Sequence, residues 1–138
     1  MSKWLTRGYT ENDMEQKKHN ILLVEDEEAV VLVLGNALKQ EGYTVTTAGD
    51  GEKGLEIALR DHPDVIIADL MLPKMDGMKM IRAIRNDEWG RKAAIIILTN
   101  VVNVNILAEA MNQETFHYIV KGDSSMAHVL AAVRSRLK

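Results

Sequence analysis

Asp64-Val65-Ile66-Ile67-Ala68-Asp69-Leu70-Met71-Leu72-Pro73-Lys74-Met75-Asp76-Gly77 decides how the rest of the chain is read. Four apolar residues, Val65 to Ala68, stand between the turn-forming pair Pro63-Asp64 and a loop carrying Pro73, Asp76 and Gly77. That is the pattern of a short strand buried on both faces. The strand runs straight into a carboxylate, Asp69. In an open parallel sheet the carboxyl ends of the strands border the crevice that takes ligands, so Asp69 stands where chemistry is usually done. A single Asp after a strand is equally well a turn residue, and the choice rests on what else converges there.

Upstream, Asn20-Ile21-Leu22-Leu23-Val24 reads as another buried strand, giving way to Glu25-Asp26-Glu27-Glu28. The positive end of the helix that follows accounts for Glu27 and Glu28. Glu25 and Asp26 fall at the strand end, in the same crevice as Asp69 if the strands are parallel. Three carboxylates in one cleft repel one another strongly unless a hard cation sits among them. Downstream, Ala93 to Leu98 is an apolar strand ending in Thr99-Asn100, and Phe116 to Val120 is one ending in Lys121. Thr is a favoured strand residue and needs no function by itself. Acids, a hydroxyl and an ammonium at four separate strand ends are harder to ascribe to chance.

Between these strands the apolar spacing predicts helices. Residues 27–41, closed by Gly42, carry Val30, Val33, Leu34, Ala37 and Leu38 as an inward face and leave Val31 and Leu32 pointing partly outward. Tyr43 to Ala48 forms the second strand of the chain, and Asp50 caps a helix over 51–61 with Leu55, Ala58 and Leu59 inward. Residues 78–88 follow with Met78, Ile81 and Ile84 inward and Trp89-Gly90 as the stop. Residues 102–112 present Val104, Leu107, Ala108 and Met111. After a cap at Asp123 or Ser124, Met126, Val129, Leu130, Val133 and Leu137 make the last helix amphipathic. Met71, Met75, Met78 and Met80 read as loop and core packing. Strands and helices alternating in this way predict an α/β fold, a doubly wound five-stranded parallel sheet with five helices on its two faces.

Gly49-Asp50-Gly51-Glu52-Lys53-Gly54 matches G-x-G-x-x-G, follows a strand and opens a helix. A dinucleotide-binding reading fails because the motif follows the second strand, would set the Asp50 carboxylate beside a pyrophosphate, and leaves little chain for a substrate domain. A capped turn explains the glycines.

With 138 residues, 46% of them hydrophobic, the chain suits one domain with one sizeable core. A net charge of −3 disfavours a primary role in neutralising nucleic-acid phosphates. The absence of cysteine removes disulfides, thiolate catalysis and cysteine metal sites. No segment approaches the ~20 apolar residues of a membrane span, no signal-peptide core is present, and a cytoplasmic location is expected. The polar residues 1–18 read as a flexible N-terminal arm or leader, with Trp4, Leu5 and Tyr9 available to pack locally and Met14 a plausible start of the compact domain. His19, His62, His117 and His128 show no ligand spacing.

A cleft with three carboxylates, a hydroxyl and an ammonium suits a divalent cation that bridges acids to a phosphoryl group, with Lys121 and Thr99 on the remaining oxygens. A carboxylate acceptor would give an acyl phosphate. On Ile21-Leu22-Leu23-Val24-Glu25-Asp26, the Asp69 to Gly77 run, Leu98-Thr99 and Tyr118-Ile119-Val120-Lys121, in that order, the chain resembles the receiver domain of two-component response regulators, a flavodoxin-like fold, over residues 19–138.

The resemblance implies that Asp69 accepts a phosphoryl group from a phosphohistidine on a sensor histidine kinase or a histidine phosphotransfer protein. It implies Mg²⁺ held by Glu25, Asp26, Asp69 and the Met71 carbonyl, Thr99 and Lys121 bonding phosphoryl oxygens, and Tyr118 moving with Thr99 as the switch. Output would pass by conformational change to a downstream protein, without direct DNA binding or membrane insertion, and with a phosphorylation-dependent dimer as a further expectation. Such a domain signals, and its only catalysis is its own phosphoryl transfer and autodephosphorylation. The first helix docks on the kinase helical bundle in this family, which makes Val31 and Leu32 candidate anchors. Met71 and Val101 stand two residues beyond the acceptor and the hydroxyl, where they flank the path of an attacking water; neither can orient that water, so a long-lived phosphate is expected.

Asn100 stands where the family usually has a small residue, Gly122 where a proline is common after the lysine, and Glu114-Thr115 where Gly-Ala is frequent. A cis peptide after Lys121 is therefore not expected. Two rivals remain. An unphosphorylated interaction module would be expected to lose site residues that this chain keeps. A phosphatase of the haloacid dehalogenase kind needs an acid two residues beyond its nucleophile, where this chain has Met71.

Overall fold

The computed structural model describes residues 18–100, 104–112, 117–122 and 126–137, with only the backbone of Val104, Met111 and His117. The expectations for residues 1–17, Val101, Glu114-Thr115, Phe116 and the cap at Asp123 or Ser124 lie outside them. Five strands, β1 (Asn20–Val24), β2 (Thr44–Ala48), β3 (Val65–Ala68), β4 (Ile95–Thr99) and β5 (His117–Val120), form one parallel sheet in the order β2-β1-β3-β4-β5. Five α-helices alternate with them: α1 (Glu28–Gln40), α2 (Gly51–Asp61), α3 (Gly77–Asn86), α4 (Val104–Asn112) and α5 (Met126–Arg136). The flavodoxin-like doubly wound architecture is the expected one. The strand order reverses direction between β1 and β3, which opens the crevice at their carboxyl ends.

The unbroken apolar runs of the central strands follow from burial on both faces. Leu22, Val24, Ile66, Ala68, Ile95 and Ile97 point to one layer, where Ile57, Ala58, Met80, Ile81 and Ile84 meet them. Ile21, Leu23, Val65, Ile67, Ile96 and Leu98 point to the other, against Leu34, Leu38, Val129 and Val133. Removing any one of these large side chains to alanine costs about 2–5 kcal/mol.

Three helix faces differ from the expected ones. On α1, Leu34, Gly35 and Leu38 turn inward, while Val33 is 57% exposed beside Leu32 at 64%. On α2, Ile57 takes the buried place expected for Leu59, which is exposed. On α4, Ala110 is buried and Ile106 half-buried, whereas Leu107 and Ala108 face out. The cause is common to all three. Each helix carries more apolar residues than one stripe needs, so spacing alone admits two rotations and packing against the sheet selects one. The α3 helix ends at Asn86, ahead of the Trp89-Gly90 stop, because Asp87 leaves helical geometry and its carboxylate accepts from the amides of Trp89 and Gly90.

Asp50 caps α2 by accepting from the Lys53 amide at 2.7 Å. Two glycines of that turn serve contact: a Cβ on Gly51 would stand 1.8 Å from the Met75 carbonyl oxygen, and one on Gly54 would lie 2.8 Å from Met80 Sδ.

Candidate functional site

Strand register sets the site. Val24 pairs with Ala68 in neighbouring parallel strands, so the next residues, Glu25 and Asp69, leave the sheet side by side. The Asp69 amide donates to the Val24 carbonyl at 3.0 Å and the Glu25 amide to that of Ala48 at 2.9 Å, which holds both just past the ladder. On the other side Thr99 pairs with Val120, and the Lys121 amide donates to the Thr99 carbonyl at 2.8 Å. Glu25, Asp69, Thr99 and Lys121 thus reach one cleft because four strands end level.

The Lys121 ammonium is its centre. Its Nζ lies 2.8 Å from Glu25 Oε1, 2.6 Å from Glu27 Oε1 and 2.9 Å from Asp69 Oδ2. Glu25, Asp69 and Thr99 are all buried, at 2%, 5% and 0% exposure. The second Asp69 oxygen accepts the Met71 amide at 3.1 Å, and the Thr99 hydroxyl also bonds this carboxylate. The Glu25 Oε2 accepts the Glu27 amide at 3.1 Å.

These contacts set the protonation of the cleft. Burial by itself would raise the Asp69 carboxyl, but the hydrogen bonds from Lys121, Thr99 and the Met71 amide outweigh it and hold the group below the usual carboxylate range. Asp69 is therefore an anion at neutral pH. Burial dominates at Glu25 and pushes it up despite Lys121. Burial works against the Lys121 charge too, yet its bonds to Glu25, Glu27 and Asp69 raise it above the ordinary lysine value.

The acids that meet differ in one member from those expected. Glu25, Glu27 and Asp69 each offer an oxygen within 4.8 Å of the others. Asp26 is exposed and lines the adjoining depression with Glu25, Glu28, Val31 and Leu32. Glu27, ascribed above to the helix end alone, does not cap its helix with its side chain; that side chain reaches Lys121. Nothing in the sequence marked it, because four consecutive acids leave open which ones turn inward. An all-oxygen, multiply anionic donor set fits a hard divalent cation.

The remaining candidates surround this cluster. Met71 projects into solvent at 66% exposure, and Asn100 is exposed. Tyr118 is half-buried against the core, and burial raises its hydroxyl. Val31 is half-buried.

Comparison with known proteins agrees with this construction. The chain matches the family described as "Response regulator receiver domain" over residues 21–134. The protein named "Probable chemotaxis protein CheY" of Rhizobium etli is 40% identical over 84 residues, which are 60% of this chain and 65% of that protein. A regulator of Porphyridium aerugineum named "Probable transcriptional regulator ycf27" is 34% identical over 88% of this chain, and the match spans only 49% of the regulator. Among solved structures, the receiver domain of sensor histidine kinase PA1611 from Pseudomonas aeruginosa, with a magnesium ion in its active-site cleft, is 30% identical with a TM-score of 0.78 over 88% of this chain and 100% of that one. With acids, a hydroxyl and an ammonium from four strand ends in one cleft and the family match covering most of its length, the chain belongs to the response regulator receiver domain family.

Proposed function

We propose that Asp69 is the phosphoacceptor, taking its phosphoryl group from a phosphohistidine on a sensor histidine kinase or a histidine phosphotransfer protein. The observation that carries this reading is the buried Asp69 carboxylate, kept ionised by Lys121 at 2.9 Å and by Thr99. An Asp69 oxygen attacks phosphorus, the new O–P bond forms as the donor's N–P bond breaks, and the electron pair leaves with the imidazole. Lys121 and Thr99 then bond phosphoryl oxygens as charge shifts onto them.

Glu25, Asp26, Asp69 and the Met71 carbonyl are the groups that would hold Mg²⁺. When bound, the ion neutralises charge shared between the acids and the phosphoryl oxygens. Thr99 and Tyr118 carry the switch, the first by following the phosphoryl group and the second by changing its packing. Val31 and Leu32 anchor the donor protein, and Met71 with Val101 govern the phosphate lifetime. The compact unit is residues 19–138, with 1–18 as an arm, acting in the cytoplasm on a downstream protein and dimerising on phosphorylation.

The test is acid-labile labelling by a small phosphodonor with Mg²⁺. Wild type should be labelled and Asp69→Asn should not. Equal labelling of both would move the acceptor elsewhere.

A further inference from the structure

Glu27 occupies the N-cap of α1, with extended geometry, yet makes no side-chain bond to its own helix. Its carboxylate instead contacts Lys121 Nζ at 2.6 Å, the shortest of the three contacts around that ammonium. A lysine ammonium has three N–H donors, and here Glu25, Glu27 and Asp69 use all three. A phosphoryl group on Asp69 inherits the donor that Asp69 used, so a second phosphoryl oxygen reaches the ammonium only if Glu25 or Glu27 gives way. Glu25 is enclosed and would be left as a buried acid without its cation. The Glu27 side chain is 55% exposed and can turn to water at little cost.

We propose that Glu27 is a positioning residue. It holds Lys121 in the unphosphorylated chain and releases it to the phosphoryl oxygens. This rests on the phosphoacceptor reading and goes one step further: the competition for Lys121 sets how readily the cleft takes up a phosphoryl group, and it ties that event to the first turn of α1. The loss of the clamp also withdraws a negative charge from beside the incoming oxyanion.

Glu27→Gln keeps the shape and removes the charged competitor, and Glu28→Gln one residue on makes the same change in net charge. In the first measurement, the Lys121 ammonium signal is followed by ¹H–¹⁵N NMR without Mg²⁺. It should shift or broaden in Glu27→Gln and stay unchanged in Glu28→Gln. In the second, affinity for beryllofluoride, a phosphoryl mimic, is measured at saturating Mg²⁺. It should rise at least about fivefold in Glu27→Gln alone, the low end of a typical coupling between two binding events. An unmoved ammonium signal, an unmoved affinity, or an equal gain in Glu28→Gln would each overturn the proposal. Wild type that bound no beryllofluoride would fail the phosphoacceptor reading itself, while the ammonium signal still reported on the Glu27 clamp.

Discussion

Gly77 lies directly against the backbone of Asp69: a Cβ on it would stand 2.4 Å from the Asp69 carbonyl oxygen and 2.6 Å from the Leu70 α-carbon. The Gly77 amide also donates to the Leu70 carbonyl at 2.9 Å, while Asp76 caps α3 through the Lys79 amide at 2.9 Å. The loop after β3 is thereby folded back onto the residue it follows, so the acceptor and the start of α3 cannot move independently.

Gly77→Ala should therefore disturb the site and the fold together. Forcing a methyl group into closed backbone contact costs about 1–3 kcal/mol. We expect a lower denaturant midpoint with an unchanged slope, and slower labelling of the fraction that remains folded. A variant as stable as wild type would show that the loop yields easily.

Lys121→Met should change how stability responds to pH. In wild type the lowered Asp69 group contributes stability that is present above its unfolded value and lost as pH falls through its folded one. Without the ammonium, burial pushes Glu25, already above its unfolded value, further up, and Asp69 rises as it loses its largest lowering contact while keeping those to Thr99 and the Met71 amide. The folded variant then binds more protons than the unfolded chain, so its stability grows as pH falls from neutrality toward the carboxylate range. At pH 7 the variant should be less stable by about 1–3 kcal/mol, the cost of leaving buried polar groups unsatisfied. The gap should narrow by pH 5. Urea melts at the two pH values measure it, and a gap that widened on acidification would contradict the assignment of Lys121 as the cation that neutralises the cleft.

Most of this architecture was readable from the sequence because its signals are local. A run such as Ile95-Ile96-Ile97-Leu98 has one stable placement, in the middle of a parallel sheet, and the residue that follows such a run has to emerge at the carboxyl edge. Asp69, Thr99 and Lys121 could be placed together on that ground. Orientation around a helix was less legible. Val33, Leu59 and Leu107 were assigned inward by spacing, but Gly35, Ile57 and Ala110 are the buried ones, since each helix carries more apolar residues than one stripe needs and packing against the sheet selects the rotation. Glu27 was missed for a related reason. Whether an acid at a helix start caps its own helix or reaches across a cleft depends on a lysine far along the chain, and no pattern local to residues 25–28 carries that information.

Leu32 and Val33 are exposed apolar neighbours on α1, whereas Val31 is half-buried. If this face receives the phosphohistidine protein, Leu32→Asp with Val33→Asp should slow phosphotransfer by at least about tenfold, equivalent to ~1.4 kcal/mol of lost contact. Labelling by a small donor should be unchanged. Each substitution should shift stability by no more than about 0.5 kcal/mol beyond the helix propensity of Asp. Val31→Asp should cost more stability than either, because that side chain contributes to packing. Equal slowing with both donors would place the effect in the cleft and not in docking.

The phosphate lifetime provides the remaining test of the site. Hydrolysis of an aspartyl phosphate needs a water aligned behind phosphorus and a group to orient it or take its proton. Met71 follows the acceptor by two residues, its amide is tied to Asp69 Oδ1 at 3.1 Å, and its thioether projects outward. A thioether is a weak acceptor and gives that water no useful partner. Val101, at the equivalent offset from Thr99, is apolar. Met71→Asn with Val101→Glu supplies an amide and a carboxylate where wild type has neither. Dephosphorylation of the double variant should then be about tenfold faster, as expected if ~1.4 kcal/mol of barrier is removed. The decay of acid-labile label after donor removal, at fixed Mg²⁺, measures it directly. Identical half-lives in two proteins that label equally well would mean that access of water to phosphorus is governed elsewhere, with Asn100, the exposed residue directly after Thr99, the next position to vary.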